Sequence, residues 1–395
     1  MINEMYLISI LSNFLNGRKS DTKSALKEGR LTEETIVLAK SQQIEAVLYY
    51  QTYNPYFRSA YSKAISAYAN RSHLLSQLHA AFTQASVPYI VFKGPEIAAY
   101  YRVPALRAYG DIDILVRAAD KEKAGEILEN IGFRCGNKAA EHEWCYGRSN
   151  SEIELHHRLL YDDNLNEERL LAFTDTVWEH SKTADGIKYQ LEPEFHFVFL
   201  LLHLRKHFLW AGVGIRQFMD LAAMIKNNEQ VNGAALDYDN IAEYIKTCCI
   251  EKFASNCFAL IERWFGIRIP ANAAALLPTA ALADDFYNSV TEKILSGTVF
   301  GDMSRDNLVD NAVFNTAKKR GKITSALNVI FLPYEQMKLK YPTMGKYKIL
   351  LPLMWLRRMI EAVFKHTAVS GLEYAGKFIG TGSGKRAAEL EAWGL

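Results

Sequence analysis

Residues 109–116 read Tyr109-Gly110-Asp111-Ile112-Asp113-Ile114-Leu115-Val116, with two acids inside an apolar, β-branched run. Such a run predicts a strand. Because side chains alternate between the faces of a strand, both carboxylates project to one side and the isoleucines project toward a core. Neighbouring carboxylates repel each other, and Mg²⁺, which prefers oxygen ligands and shares substrate phosphates, relieves that repulsion. The run therefore indicates phosphoryl or nucleotidyl transfer; two solvated acids at a strand end are the alternative.

A second strand and a turn precede this run. Residues 87–92 predict a short apolar strand, and Lys93-Gly94 follows it directly. Gly94 can adopt backbone angles that other residues avoid, so a phosphate can approach main-chain amides at a helix start. Lys93 is placed to reach the same phosphates, and Arg107 is a second candidate cation. An ordinary strand-turn-helix with surface charges is the alternative.

Two further strands are predicted downstream, at 143–148 and 152–158. In the second of them, Glu152, Glu154 and His156 share one face because the side-chain period of a strand is two. One of these acids can supply a third carboxylate to a metal site. We favour Glu154, since it lies between apolar residues in the middle of the strand. An edge strand with its polar face in water is the alternative.

Four segments together resemble a known family. They are Phe92-Lys93-Gly94, Leu106-Arg107, Gly110-Asp111-Ile112-Asp113-Ile114-Leu115-Val116 and Ile153-Glu154-Leu155-His156. An apolar-Lys-Gly strand end, an Asp-apolar-Asp run and an acid before Leu-His are similar to the uncharacterised nucleotidyltransferase family of the DNA polymerase beta superfamily. The resemblance implies an α+β fold, with a small mixed-sheet nucleotidyltransferase core flanked by N-terminal and C-terminal helical domains.

The resemblance also implies a chemistry and a set of site residues. The expected reaction is Mg²⁺-dependent or Mn²⁺-dependent transfer of a nucleoside monophosphate from an NTP, with ATP favoured, to an acceptor hydroxyl on a small molecule or a protein. The residues expected to be catalytic and to hold metal are Asp111, Asp113 and Glu154. Those expected to bind the nucleotide are Lys93, Gly94, Arg107, Gly110 and His156. A non-catalytic nucleotide-binding or interaction module that keeps the fold is the alternative function.

A more distant segment resembles the family as well. His203, Arg216 and Asp220 match its helical His … Arg-x-x-x-Asp pattern. A histidine on a helix, such as His203, can either pack in the core or contact the site. A salt bridge between positions i and i+4 of a helix explains Arg216 and Asp220. Whether these three residues line the site stays open at this point.

The composition disfavours several classes of protein. Lys and Arg number 46 against 44 Asp and Glu, a formal net charge of +2, which gives no strong field for nucleic acid or an anionic membrane. A tRNA-directed transferase is disfavoured for this reason. Five cysteines, none in a paired metal spacing, fit a reducing cytosol. The N-terminus lacks a signal-peptide pattern and no apolar run is long enough to span a membrane, so we expect a cytoplasmic protein.

The length of 395 residues predicts two or three subdomains. The expected regions are a helical N-terminal region at 1–85, the nucleotidyltransferase α/β core at 86–160, a helical domain at 161–300, and a helical C-terminal region at 301–395 with a flexible tail. Periodicity predicts one long helix at 61–85 and a helical segment at 241–265. Helices are expected to dominate after residue 161.

Overall fold

A computed structural model of the chain describes residues 2–20, 32–137, 143–161, 167–210, 212–298, 301, 337, 350–355, 357 and 382–395. Contacts divide the chain into two compact units. One consists of Met1–His207 and Gly212–Gly301, and the other of Phe208–Ala211 and Asp302–Leu395. The region boundaries at 85, 160 and 300 stay a prediction, and most of the expected C-terminal region lies outside the described residues.

The described chain combines helices with one sheet, as the α+β prediction requires. The helices are α1 Ile2–Leu15, α2 Glu33–Ser41, α3 Glu45–Thr52, α4 Arg58–Ala85, α5 Gly94–Ala98, α6 Lys121–Asn130, α7 Glu168–Asp175, α8 Pro193–Trp210, α9 Ile215–Asn232, α10 Tyr238–Thr247, α11 Glu251–Phe265, α12 Asp284–Ser296 and α13 Gly382–Trp393. The strands are β1 Tyr89–Phe92, β2 Asp111–Val116, β3 Arg134–Asn137, β4 Glu143–Arg148, β5 Ser151–His156, β6 Ser181–Asp185 and β7 Lys188–Leu191.

The seven strands form one mixed sheet in the order β3-β4-β5-β2-β1-β7-β6. β2 runs parallel to β5, and β1 runs parallel to β7; the other neighbours are antiparallel. In this register the Cα of Asp113 pairs with that of Phe92 on one side and that of Glu154 on the other. The central strands therefore bring the predicted acids together from two separate segments of the chain.

One face of the sheet packs on the long helix α4, which confirms the helix predicted over 61–85. Leu74, Leu78 and Phe82 recur at a spacing of four residues and bury one stripe of α4 in the core. The isoleucines of β2 and the apolar side chains of β5 lie in the same cluster. Because side chains alternate along a strand, the acids of β2 and β5 lie on the opposite face.

Three features differ from the sequence expectations. β6 and β7 form a hairpin in the part expected to be mainly helical. The predicted segment 241–265 is two helices, because Cys249 adopts a left-handed φ of 50° and the N–H of Ile250 bonds back to the carbonyl of Ile245 at 3.1 Å, as in a Schellman ending. Helix α13 begins at Gly382, inside the tail expected to be flexible, and near its end Leu390 and Trp393 are buried.

Candidate active site

The turn after β1 carries a strained lysine. Lys93 has φ 56° and ψ −120°, a conformation that non-glycine residues rarely adopt. Its main-chain N–H donates to Nε2 of His196 at 3.4 Å. A Cβ on Gly94 would lie 3.0 Å from Cδ2 of Tyr109, so glycine is the residue that fits there without a shift. The turn aims Lys93 at β2, where its Nζ lies 2.5 Å from Oδ1 of Asp113.

Asp113 is a buried acid held between a lysine ammonium and an imidazole. Its side chain is only 2% exposed, and its Oδ1 contacts both Nζ of Lys93 and, at 3.3 Å, Nε2 of His156. Burial by itself raises the pKa of a carboxyl, but Lys93 and His156 outweigh it and hold the pKa of Asp113 well below its ordinary value. Asp113 is therefore ionised at neutral pH.

His156 joins the acids of the two strands. Its Nε2 also lies 3.3 Å from Oε2 of Glu154. Burial lowers the pKa of an imidazole, yet hydrogen bonds to Asp113 and Glu154 give His156 a raised pKa. Burial raises the pKa of Glu154; the bond from His156 opposes this effect and the charge of Asp113 adds to it. A carboxyl with a raised pKa is a stronger proton acceptor than an ordinary one.

The residues around Asp113 fit a divalent cation. One ligand atom from each of Asp113, Glu154 and His156 lies within 4.8 Å of the others. Oδ1 of Asp113 is buried and contacts the ammonium of Lys93 and the imidazole of His156, so a divalent cation would take the place of these contacts as its counter-charge. Carboxylate oxygens suit Mg²⁺, and the imidazole is a ligand that transition metals also accept.

Asp111 and Gly110 lie at the edge of this group. Asp111 starts β2 and is half-buried, and its Cα partner on β5 is the exposed Glu152. It shares a face with Asp113 but does not belong to the three-residue group. A Cβ on Gly110 would meet no atom within 4 Å, so close contact with protein does not require glycine there. The metal role of Asp111 and the nucleotide role of Gly110 stay predictions.

Arg107 lies in a second buried cluster. Its Nε and Nη2 donate to Oδ1 and Oδ2 of Asp220 at 3.1 and 2.7 Å, and the hydroxyl of Tyr101 donates to Oδ1 at 2.6 Å. Arg216 donates instead to Oε1 of Gln43 at 2.8 Å. The partner of Asp220 is therefore a distant arginine, in place of the neighbour four residues away on its own helix. Nucleotide binding by Arg107 stays a prediction.

Helix α8 places aromatic and imidazole rings beside the lysine turn. Phe199 packs on Phe92, with ring centroids 5.8 Å apart, and on His203 at 6.0 Å. Nε2 of His203 lies 3.0 Å from Nε2 of His207. Burial, and to a smaller extent the charge of Lys93, lowers the pKa of both histidines. The pKa of His207 falls to about 4, and that of His203 falls well below its ordinary value. These rings are neutral at pH 7, and Phe199 connects His203 to Phe92, the residue that precedes Lys93.

Sequence reasoning missed two neighbours of Glu154. Glu143, Cys145 and Glu154 form a second group whose ligand atoms lie within 4.8 Å of one another. The alternation of side chains along β4 already predicts that Glu143 and Cys145 share one face. The pairing of Cys145 with Glu154 depends on the register between β4 and β5, which only the structure gives. His196 was missed as well, because it stands in an apolar helical run that gives no functional signal.

Comparison with known proteins gives the class to which this sheet and acid group belong. Residues 34–266 match a profile for nucleotidyltransferases. The matched family is described as an uncharacterised nucleotidyltransferase, and the match covers more than half of the chain, including every residue of the Asp113 group. The chain belongs to this family, which confirms the resemblance drawn from the motifs. No curated protein and no solved structure gives a significant match.

Within the ranges that the structure describes, none of the helices combines the length and apolar character that crossing a bilayer requires.

Proposed function

We propose that this chain transfers a nucleoside monophosphate from an NTP, with ATP favoured, to an acceptor hydroxyl in a reaction that depends on Mg²⁺ or Mn²⁺. The observation that carries the proposal is the meeting of Lys93, Asp113, Glu154 and His156 on one face of the sheet. Membership of a nucleotidyltransferase family supports the class of reaction. The metal, the base of the nucleotide and the acceptor belong to the proposal.

Asp113 and Glu154 would hold the divalent cation. Both offer carboxylate oxygens on adjacent strands, and Asp111, on the same face of β2, would complete the set. When bound, such a cation neutralises charge that develops on a transferred phosphoryl group and orients in-line displacement.

Lys93 and its neighbours would hold the triphosphate. The ammonium of Lys93 is bound to Asp113, and a triphosphate offers it a competing anion. Gly94 and Gly110 would let phosphates approach the backbone. Arg107 would contribute through Nη1, since its Nε and Nη2 are bound to Asp220.

Glu154 would take the proton from the acceptor hydroxyl. It is the more exposed of the two acids, with 22% of its side chain accessible against 2% for Asp113, so an acceptor can reach it. Its raised pKa suits a proton acceptor. His156, bound to both acids, would fix the orientation of Glu154 and contact the phosphates.

The acceptor would be a small molecule or a protein rather than general nucleic acid. Phosphate-backbone recognition needs a basic stripe, whereas the charges of this chain nearly balance. We place the reaction in the cytoplasm because all five cysteines are free, which fits a reducing compartment.

Calorimetry with ATP, GTP, CTP and UTP, with and without Mg²⁺, tests the proposal. The alternative function is a non-catalytic nucleotide-binding or interaction module. The ion pair between Lys93 and Asp113 favours this alternative, because it neutralises the charge of Asp113 without a metal ion. The enzyme should bind at least one nucleotide, ATP most tightly, only when Mg²⁺ is present. Nucleotide binding that does not depend on Mg²⁺, or no binding of any of the four nucleotides, would favour the non-catalytic module.

A further inference from the structure

A cavity of about 270 Å³ lies beside the site, between the N-terminal helices and the segment that precedes β2. Its walls come from residues 43–46, the first half of α4, and residues 105–109. The small side chains that line it are Ala46, Ala60, Ala64, Ala67, Ala105 and Ala108. This volume is close to the lower end for ligand pockets, roughly 300 Å³, so the cavity suits a small molecule.

The polar lining of the cavity is mainly cationic. Lys63, Arg71 and Arg107 face a single acid, Glu45, and Arg107 is already paired with Asp220. Arg71 is half-buried and lies over the ring of Tyr109, with its Cζ 4.5 Å from the ring centroid.

Arg71 differs from Arg107 in having no carboxylate partner within the part of the chain that the structure describes. Among the described residues, no carboxylate pairs with it at salt-bridge distance. Burial lowers its pKa, although the charge of Asp111 opposes that effect. A half-buried guanidinium without a carboxylate partner offers a fork of donors that matches a phosphate or a carboxylate.

Tyr109 separates this cation from the proposed triphosphate site. One part of its ring lies against Gly94, where an added Cβ would meet Cδ2 at 3.0 Å, while Arg71 lies over the ring. The ring therefore fills space between the Lys93–Gly94 turn and Arg71. An anion on Arg71 would lie apart from phosphates held at that turn.

We propose that this cavity is the acceptor site, and that the acceptor is a small molecule carrying a phosphate or carboxylate that Arg71 binds, with its apolar face against the alanines. The inference rests on the proposed function above. Tyr109 lines the cavity and is followed, after Gly110, by Asp111, whose charge acts on Arg71, so an acceptor in the cavity would lie near the start of β2. Lys63, two helical turns before Arg71 on the same face of α4, would add positive charge at the rim.

Calorimetric titration of the full chain with inorganic phosphate, and separately with acetate, tests this site. The chain is first saturated with Mg²⁺ and a non-hydrolysable ATP analogue, so that the nucleotide site is filled. We expect at least one of the anions to bind, and Arg71→Gln to weaken that binding about tenfold or more, as the loss of a charged hydrogen-bond donor predicts. The matched control is Arg58→Gln, an exposed arginine at the start of α4 outside the cavity, which should bind like wild type.

A second pair of variants tests the cavity without changing charge. Ala67→Leu fills the space and should also weaken anion binding about tenfold, since the added side chain occupies the ligand volume. Ala69→Leu, on the exposed side of α4, should have no effect. Circular dichroism and affinity for the ATP analogue establish that each variant is folded.

Three results would overturn the proposal. The first is binding of neither anion, or binding that Arg71→Gln leaves unchanged. The second is competition between the anion and the ATP analogue, with Arg71→Gln weakening both equally, because the cation would then belong to the nucleotide site. The third is phosphate binding through Arg71 in a protein that binds no Mg²⁺-nucleotide. That result would refute both the proposed nucleotidyl transfer and the role of the cavity as an acceptor site, and the cavity would then be an anion-binding site only.

Discussion

Two buried aspartates each pair with a cation, and they differ in the geometry of that pairing. Asp220 accepts from Arg107 through both oxygens and from the hydroxyl of Tyr101. Asp113 instead meets Lys93 and His156 at one oxygen, Oδ1. A bidentate arginine leaves a carboxylate little capacity for another partner, whereas a lysine is a point charge that can exchange. The first cluster suits a structural role and the second suits ligand binding.

The largest expected effect comes from substitution of Asp113, the acid paired with lysine. Asp113→Asn should lower turnover by about a thousandfold or more, the range for loss of a major electrostatic group. The fold should persist, because the substitution also relieves the repulsion between Asp113 and the neighbouring acid Glu154. Steady-state kinetics and a thermal melt of the same preparation measure both effects. Full turnover, or a variant that is unfolded at 25 °C, would contradict this contrast.

Asp220, the acid paired with arginine, should behave in the opposite way. Asp220→Asn leaves Arg107 buried without its counter-charge, so the free energy of unfolding should fall by about 3 kcal/mol. Turnover per folded molecule should change much less than in Asp113→Asn. Urea denaturation and active-site titration of the folded fraction measure these quantities. Unchanged stability would show that the Arg107 cluster is not structural.

The two acidic residues of β5, Glu154 and Glu152, test which carboxylate acts together with Asp113. Glu154→Gln should reduce turnover about a hundredfold, the range for a general base, while affinity for Mg²⁺-ATP changes much less, because Asp111 and Asp113 would still hold the cation of the nucleotide. The control is Glu152→Gln, an exposed residue on the same face of the strand, which should stay near wild type. If Glu152→Gln is the inactive variant, the third carboxylate must be reassigned.

The smallest expected effect is on acid stability. Because the pKa of Asp113 is depressed in the folded protein, its ionised form stabilises the fold at pH values above the ordinary carboxyl pKa near 3.8. That contribution is lost as pH falls through the depressed value, since the unfolded chain takes up the proton first. Urea unfolding from pH 7 to pH 3 should therefore show the stability of wild type approaching that of Asp113→Asn below about pH 4. A difference that grows as pH falls would refute the depressed pKa.

The alternation of residues along each strand was sufficient to predict the site residues that lie on single strands. Alternation in β2 and β5 put Asp113, Glu154 and His156 on polar faces, and the structure brings these three together. Lys93 followed from its position at the end of β1. Sequence alone suggested that Asp111 and Asp113 repel each other, but the partner that offsets the charge of Asp113 is a lysine on a neighbouring strand end.

The remainder depends on contacts between distant residues. The pair of Arg107 with Asp220 joins a loop to helix α9, and no local spacing encodes it. The hairpin of β6 and β7 was missed because Ser181–Asp185 is a largely exposed, polar strand without an apolar alternation. The break after α10 was missed because Cys249 takes a left-handed conformation that usually marks glycine.

The ion pair between Lys93 and Asp113 also bears on how the protein matures. A buried acid that depended on a metal ion for its counter-charge would leave the new chain unstable until the ion arrived. Here the counter-charge is part of the polypeptide, at the end of the adjacent strand. The newly synthesised chain can therefore reach its folded state before any cation or nucleotide is supplied, and treatment with EDTA should leave its melting temperature unchanged.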